Sequence, residues 1–216
     1  SEIRYRTDAG APYFYIMALY EHHEFTFIAG GMTDLEGWTE EAPFHLKGTP
    51  ASGKLRRFVQ RMKTEAKAED ILAQVTVTAT ELFLECASQE RLDAIKHTLA
   101  ATFGYSLHFR GEVVQPPVRQ VTKEELSGNE PLTVMVTGEE DRALLKAFLE
   151  TVYLEWADRE SPALGGETPR HVAKTPAGRD RVAALINDME RCDVGLLRNG
   201  VAAFDHNVLR AHVGLC

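Results

Sequence analysis

The stretch of sequence that decides the fold is residues 151–191, TVYLEWADRESPALGGETPRHVAKTPAGRDRVAALINDMER. Within it, a hydroxyl residue followed by proline occurs three times at intervals of seven, at Ser161-Pro162, Thr168-Pro169 and Thr175-Pro176. Each pair predicts a helix start, because the hydroxyl oxygen accepts a hydrogen bond from an unpaired backbone N–H and proline fits the first helical position. The segment therefore predicts short helices joined at tight corners and ending in one longer helix, which is typical of a structural or docking unit.

Two glycines form the corner between the first two of these helix starts, Ser161-Pro162 and Thr168-Pro169. We call this corner the first corner. Gly165 and Gly166 follow Leu164 directly, and glycine adopts left-handed backbone conformations that other residues avoid. One interpretation is that the turn presents backbone N–H groups to an anion, with Arg170 and Arg179 adding charge-assisted hydrogen bonds. The other is that the glycines only allow a tight helix–helix corner. The second is favoured, because one glycine pair without the lysine of a phosphate-binding loop is weak evidence for a nucleotide site.

The spacing of apolar side chains predicts the elements of residues 1–115. Alternating apolar residues indicate strands, and apolar residues three or four apart indicate a helix. In chain order the pattern predicts an aromatic hairpin at 13–29 closed by Gly30-Gly31, a basic helix at 54–67, a hairpin at 71–86, a helix between Ser88 and Gly104, and a strand at 105–109. This order is typical of an antiparallel sheet with two helices packed on one face.

The rest of the chain predicts a linker followed by helices. Pro116-Pro117 and the polar residues after them indicate a linker over 116–131, and Thr137 is a capping residue for the next helix. That helix is expected to bury one apolar face, made of Leu144, Leu145, Phe148, Val152 and Trp156. A last helix is expected to begin after Asp205 and to point three residues inward, namely Val208, Leu209 and Val213. The predicted fold is therefore α+β, with a sheet domain at 1–115 and an all-helical domain at 132–216.

Composition and charge narrow the function classes. The chain of 216 residues has a net charge of −8, and its middle block, residues 121–158, holds 3 basic and 9 acidic residues. Such a block repels a phosphate backbone, which disfavours broad nucleic-acid binding. The three cysteines form no CxxC pair, so we expect a reducing, cytoplasmic compartment and neither a zinc site nor another cofactor. No apolar run reaches the length of about 18 residues that a membrane span requires.

No set of residues in the sequence indicates a catalytic or metal site. His22 and His23 are neighbours on a predicted strand, so they would point to opposite faces and could not share a metal ion. The other histidines are scattered singly, and the G-x-S-x-G motif of a nucleophilic serine does not occur. Glu81 and Glu85 are interpreted as the solvent-facing side of a strand. An enzyme whose site is assembled from scattered residues stays open as one alternative for the function.

The string around the first corner is unusual enough to suggest a family. The elements that suggest it are Trp156, Pro162-Ala163-Leu164-Gly165-Gly166, Thr168-Pro169, Gly178 and Val182 through Leu185. Through them, residues 143–195 resemble the toxin-binding domain of Xre/MbcA/ParS-type antitoxins, and they are also similar to part of larger bacterial proteins associated with SEC-C motifs. The resemblance implies a small helical unit that contacts a partner toxin of the NAD-degrading or ADP-ribosylating type. This chain has no SEC-C cysteines, so no metal role follows from it.

The leading hypothesis is a non-catalytic bacterial protein-interaction module that binds a toxin-like partner. The expected contact surface combines the first corner with a supporting tryptophan and two arginines: Trp156, Leu164, Gly165, Gly166, Thr168, Pro169, Arg170 and Arg179. The alternative is a nucleic-acid-associated protein that uses the basic helix 54–67 and the aromatic hairpin 13–29, because exposed aromatic side chains can stack on bases.

Overall fold

The structure, a computed structural model, has a mixed α+β fold. It describes residues 3–8, 10–41, 54–61, 71–117, 120–128 and 132–216. Within those ranges, none of the helices is both long and apolar enough to cross a membrane.

The centre of the fold is a six-stranded antiparallel sheet. Its strands are β2 (Ile16–Glu21), β3 (Trp38–Glu40), β4 (Leu55–Arg61), β5 (Ile71–Thr78), β6 (Glu81–Cys86) and β7 (His108–Val114). They lie in the order β3-β4-β5-β6-β2-β7, which places β7 at one edge. A separate pair, β1 (Ile3–Thr7) and β8 (Leu132–Val136), runs parallel.

Helices cover both faces of this sheet. They are α1 (Phe25–Asp34), α2 (Gln89–Phe103), α3 (Lys123–Leu126), α4 (Gly138–Trp156), α5 (Pro169–Val172), α6 (Pro176–Arg191), α7 (Val194–Asn199) and α8 (His206–His212). Within the described residues, short 3-10 helices lie at Gly104–Ser106 and Pro162–Leu164. The core under α1 and α2 lies on one face of the sheet, and the core under α4 and the later helices lies on the other.

Strand β2 shows why both faces of the sheet are buried. Ile16 and Ala18 belong to the core under α1 and α2, whereas Met17 and Leu19 belong to the core under α4. Successive side chains of a strand point to opposite faces, so a strand that is covered on both faces has a continuous apolar sequence. By the same alternation, Glu21 at the end of β2 lies on the face covered by α4.

The first predicted hairpin is wrong in its second half. Residues 24–29 do not form a strand, because they run into helix α1, whose Ile28 and Met32 are fully buried. Gly31 lies inside this helix and not in a hairpin turn. A Cβ atom at Gly31 would lie 2.3 Å from Cε1 of Phe103 on α2. The glycine therefore allows the two helices to pack closely.

The basic helix predicted at 54–67 is also wrong. Residues 55–61 form strand β4, which pairs with β3 on one side and β5 on the other, while residues 62–67 lie outside the described residues. Phe58 and Val59 are both buried, as expected of neighbours on a strand that is covered on both faces. Both elements that the nucleic-acid alternative requires therefore differ from the structure.

The second predicted hairpin and the helix that follows it are confirmed. Strands β5 and β6 pair antiparallel. The Ser88 hydroxyl then caps α2 by accepting a hydrogen bond from the N–H of Arg91 at 3.3 Å. Gly104 follows the helix with a positive φ of 53°. The strand predicted at 105–109 is wrong at its start, because Gly104–Ser106 form a 3-10 helix and β7 begins only at His108.

The C-terminal part is helical, but not from its first residue. Residues 132–136 form β8, which pairs with β1 near the start of the chain. The prediction that all of 132–216 is helical is therefore wrong at its start. Within the predicted linker 116–131, the short helix α3 begins with a reciprocal capping box between Thr122 and Glu125.

The predicted starts of α4 and α8 are confirmed. Thr137 caps α4 and Asp205 caps α8, each through a side-chain oxygen that accepts a backbone N–H. All five residues of the predicted inner face of α4 are buried. In α8, Leu209 is buried, but Val208 is 46 % exposed and does not point inward.

Candidate functional site

The three hydroxyl-proline pairs begin helices, as the sequence predicts, but the first one is built differently. Thr168 and Thr175 each cap their helix, because Oγ1 accepts the backbone N–H three residues further on at 3.2 and 3.1 Å. Ser161 precedes its 3-10 helix without a side-chain capping bond. Its hydroxyl instead donates a hydrogen bond to Oε1 of Glu21 on β2. The first corner is therefore tied to the sheet.

The residues predicted to contact a partner separate into interior and surface positions. Three of them are buried in the core, namely Trp156, Leu164 and Pro169. These side chains build the corner from inside. Thr168 is half-buried, whereas Gly165 and Gly166 are exposed, with φ values of 75° and 86°. The exposed part of the predicted surface is thus the glycine turn together with Arg179.

Both arginines of the predicted surface bind atoms of their own chain. Arg170 donates from Nε and Nη2 to the carboxylate of Asp158 at 2.6 and 3.0 Å, and these hydrogen bonds lower the pKa of Asp158 below its usual value. Arg179 donates to the carbonyl oxygens of Gly214 and Leu215, both at 2.8 Å. The two guanidinium groups therefore hold the corner and the chain end in place.

The glycine turn does not present free N–H groups to an anion. The N–H of Gly165 donates to the carbonyl of Pro162 at 3.2 Å, and the N–H of Gly166 donates to the carbonyl of Ser161 at 2.9 Å. The anion-binding interpretation of this turn is therefore not supported. The positive φ values of the two glycines serve the tight corner instead.

A pocket opens beside this corner. It has a volume of about 530 Å³, and residues of β7 and of the first corner line it: His108, Arg110, Arg159, Glu160, Pro162 and Gly166. We call it the corner pocket. Its volume lies within the range of ligand-binding clefts, about 300–1,000 Å³.

A β-bulge in the edge strand places Arg110 in the pocket wall. In the ladder between β2 and β7, Leu19 pairs with Gly111 and Tyr20 pairs with Phe109, so Arg110 has no register partner. Such an extra residue changes the direction of the side chains around it. As a result, Arg110 reaches the face of the sheet on which α4 and the first corner lie.

The guanidinium group of Arg110 is bound on one side. Nε and Nη2 donate to Oε2 of Glu21 at 2.9 and 2.7 Å, and Nη2 also donates to the carbonyl of Glu160 at 3.1 Å. The side chains of Arg110 and Glu21 are only 13 % and 5 % exposed. Across the described ranges, Nη1 of Arg110 donates no hydrogen bond. The pocket wall thus contains a positioned guanidinium group with unused donors.

A second buried carboxyl group lies next to this pair. Glu81 on β6 is the register partner of Glu21, and Tyr153 on α4 donates its hydroxyl to Oε2 of Glu81 at 3.0 Å. Burial raises the pKa of Glu81 to about 8; the hydrogen bond from Tyr153 opposes this rise, and the charge of Glu21 adds to it. The Glu81 carboxyl group is therefore mostly protonated at neutral pH.

His22 and His206 are also buried. Nε2 of His22 donates to the carbonyl of Glu81 at 3.2 Å, and burial lowers the pKa of His22 to about 4. His206 packs against the rings of Tyr153 and Phe204, and burial lowers its pKa as well.

Among the residues that the structure describes, no three His, Cys, Asp or Glu side chains are arranged to hold a metal ion.

Sequence reasoning missed the polar residues between the sheet and α4. The interpretation of Glu81 and Glu85 as solvent-facing is wrong, since both are buried. No motif marks Glu21 or Arg110. The signal that was available is the apolar run at 16–20, because a run without polar alternation indicates a strand covered on both faces and therefore buried neighbours.

No family model, curated protein or solved structure matches this chain. The similarity of residues 143–195 to the antitoxin toxin-binding domain accordingly stays a prediction from the sequence pattern.

Proposed function

We propose that this chain is a protein-interaction module whose partner docks on the first corner and in the corner pocket. The observation that supports this proposal most directly is the open pocket beside the exposed Gly165-Gly166 turn. Its wall contains Arg110, which Glu21 holds in place and which keeps unused donors. A surface that is ordered before binding loses less conformational entropy when a partner docks.

The rim of the corner pocket has the polar character of a protein interface. Arg159 is 46 % exposed in its side chain and pairs with Glu155 one helical turn earlier. Glu160 follows it and is also exposed. Interfaces between proteins commonly surround a buried centre with a charged, solvent-accessible rim. This arrangement supports docking of a folded partner.

The same arrangement gives little support to nucleophilic catalysis. Ser161 donates to Glu21, but Ser161 is completely buried, so a substrate could not reach its hydroxyl. His108 lines the pocket, yet across the described ranges it forms no hydrogen bond to a hydroxyl or carboxylate. A general base requires such a contact with its nucleophile.

The partner class that we propose is a toxin-like protein. This part of the proposal depends on the sequence resemblance of residues 143–195, in which the glycine corner is the most unusual string. Gly165 and Gly166 of this string are also exposed. A partner that recognises this string would therefore meet the rim of the corner pocket.

Charge reversal at the rim tests the docking proposal. In affinity capture from the native host, Arg159→Glu is expected to lose a partner that the wild-type chain retains, because it reverses an exposed charge at the pocket. Arg191→Glu is the matched control, since Arg191 is also exposed, pairs with a nearby acid, Asp188, and does not line the pocket. Recovery of the same partner by all three proteins would overturn the proposal.

A further inference from the structure

Charges in the wall of the corner pocket largely cancel. The positive charge of Arg110 faces the carboxylate of Glu21 at 2.7 Å, and that of Arg159 faces Glu155 at 2.6 Å. Glu160 adds a further carboxylate, which forms no salt bridge in the part of the chain that the structure describes. An anionic ligand would therefore meet nearby carboxylates without a free positive charge to offset them.

The unused hydrogen-bonding groups of the pocket include both donors and an acceptor. Nη1 of Arg110 offers N–H donors, and the Glu160 carboxylate is acceptor-only when ionised. Burial lowers the pKa of His108, which keeps its imidazole neutral at physiological pH, with one donor and one acceptor nitrogen. A ligand that fits this wall needs an acceptor and a donor of its own and no negative charge.

We propose that the corner pocket binds an uncharged carboxamide, the side chain of an Asn or Gln residue of the docked partner. The amide oxygen accepts from Nη1 of Arg110, and the amide NH2 group donates to the carboxylate of Glu160. Both hydrogen bonds involve a charged protein group, which makes them stronger than bonds between neutral groups. This inference rests on the proposed docking function, because the partner supplies the amide.

The choice between an amide and a carboxylate can be measured with two isosteric probes. The N-methylamides of N-acetylglutamine and N-acetylglutamate, of which only the first carries a primary carboxamide, are titrated separately into the full chain, and the backbone amide signals of His108 and Gly166 are followed by NMR. The glutamine probe is expected to shift both signals and to bind at least about tenfold more tightly than the glutamate probe. Binding of the glutamate probe that is equal or tighter, or the absence of shifts at both residues, would overturn the inference.

A variant of the acceptor Glu160 distinguishes this recognition from non-specific binding to the surface. Glu160→Gln removes the carboxylate, so the preference for glutamine over glutamate is expected to fall at least about threefold. Glu160 is exposed, so this change leaves the fold intact. Glu150→Gln on the exposed face of α4 is the control and should keep the wild-type preference. An unchanged preference in Glu160→Gln would contradict the assigned role of Glu160.

The two proposals can fail separately. If neither probe binds but Arg159→Glu still loses its partner, docking stands and the amide chemistry is wrong. If the glutamine probe binds as expected but capture is insensitive to Arg159→Glu, the amide preference of the pocket stands, and the docking proposal is wrong together with the partner as the source of the amide.

Discussion

Glu21 and Glu81 lie opposite each other on neighbouring strands, and each is kept in the interior by a different kind of partner. Glu21 accepts hydrogen bonds from Arg110 and Ser161, so a positive charge compensates it. Glu81 accepts from the neutral hydroxyl of Tyr153. Two carboxylates this close would repel each other if both were charged, and the protonated state of Glu81 avoids that cost.

Glu81→Gln is expected to remove a pH dependence of stability. Burial raises the pKa of Glu81 from 4.5 to about 8, so its contribution to folding is complete below pH 4.5 and is lost as the pH rises to about 8. Glutamine is neutral at every pH and still accepts the hydrogen bond from Tyr153. The free energy of unfolding of the variant should therefore rise relative to that of the wild type as the pH increases, by on the order of 1 kcal/mol or more at about pH 9. Urea unfolding at both ends of this range measures the difference, and a difference independent of pH would contradict the prediction.

His22→Gln should change the acid side of the stability profile. Burial lowers the pKa of His22 from 6.5 to about 4, so the wild-type fold loses stability as the pH falls from 6.5 towards 4. Glutamine keeps an N–H donor for the carbonyl of Glu81 and does not titrate. Relative to the wild type, the variant is thus expected to become more stable as the pH falls through this window. His23→Gln is the control, since His23 is exposed. In thermal unfolding across this window, the melting temperature relative to the wild type should rise with falling pH in His22→Gln and stay constant in His23→Gln.

At the scale of helices and strands, local start signals were predictable and packing was not. Ser88, Thr168 and Thr175 cap their helices as the sequence predicts, because a cap involves residues within one turn. Helix α1 was missed, since its aromatic and β-branched residues favour a strand locally. Packing against α2 overrides that preference, and the partner helix lies far along the chain.

Gly31→Ala is expected to destabilise the contact between α1 and α2. The added Cβ would lie 2.3 Å from Cε1 of Phe103, so the phenylalanine ring or the helix must move, at a cost of about 1–3 kcal/mol. Gly30→Ala is a matched control in the same helix, because a Cβ there would meet nothing within 4 Å. That change should stabilise the protein by up to about 1 kcal/mol through helix propensity. Equal effects in chemical denaturation would show that Gly31 does not set the packing distance.

At the scale of the whole molecule, the sheet and the C-terminal helices share one core. Met17, Leu19 and Phe83 of the sheet belong to the same apolar cluster as Leu145 and Val182. The candidate site crosses the same boundary: Arg110 is 89 residues and Ser161 is 140 residues from Glu21 along the chain. Contacts over such separations leave no local pattern, which is why the sequence predicted the glycine corner but not the pocket beside it.

A shared core predicts that the whole chain unfolds in one cooperative step. The two tryptophans report on both parts, because Trp38 lies on the edge strand β3 and Trp156 at the end of α4. In Trp38→Phe and Trp156→Phe, the fluorescence of the remaining tryptophan should change at the same urea concentration as the far-UV circular dichroism of that variant. Because each variant is compared with itself, a stability loss caused by the substitution does not affect the test. Separate transitions, with one probe changing before the other, would show that the parts before residue 115 and after residue 132 fold independently.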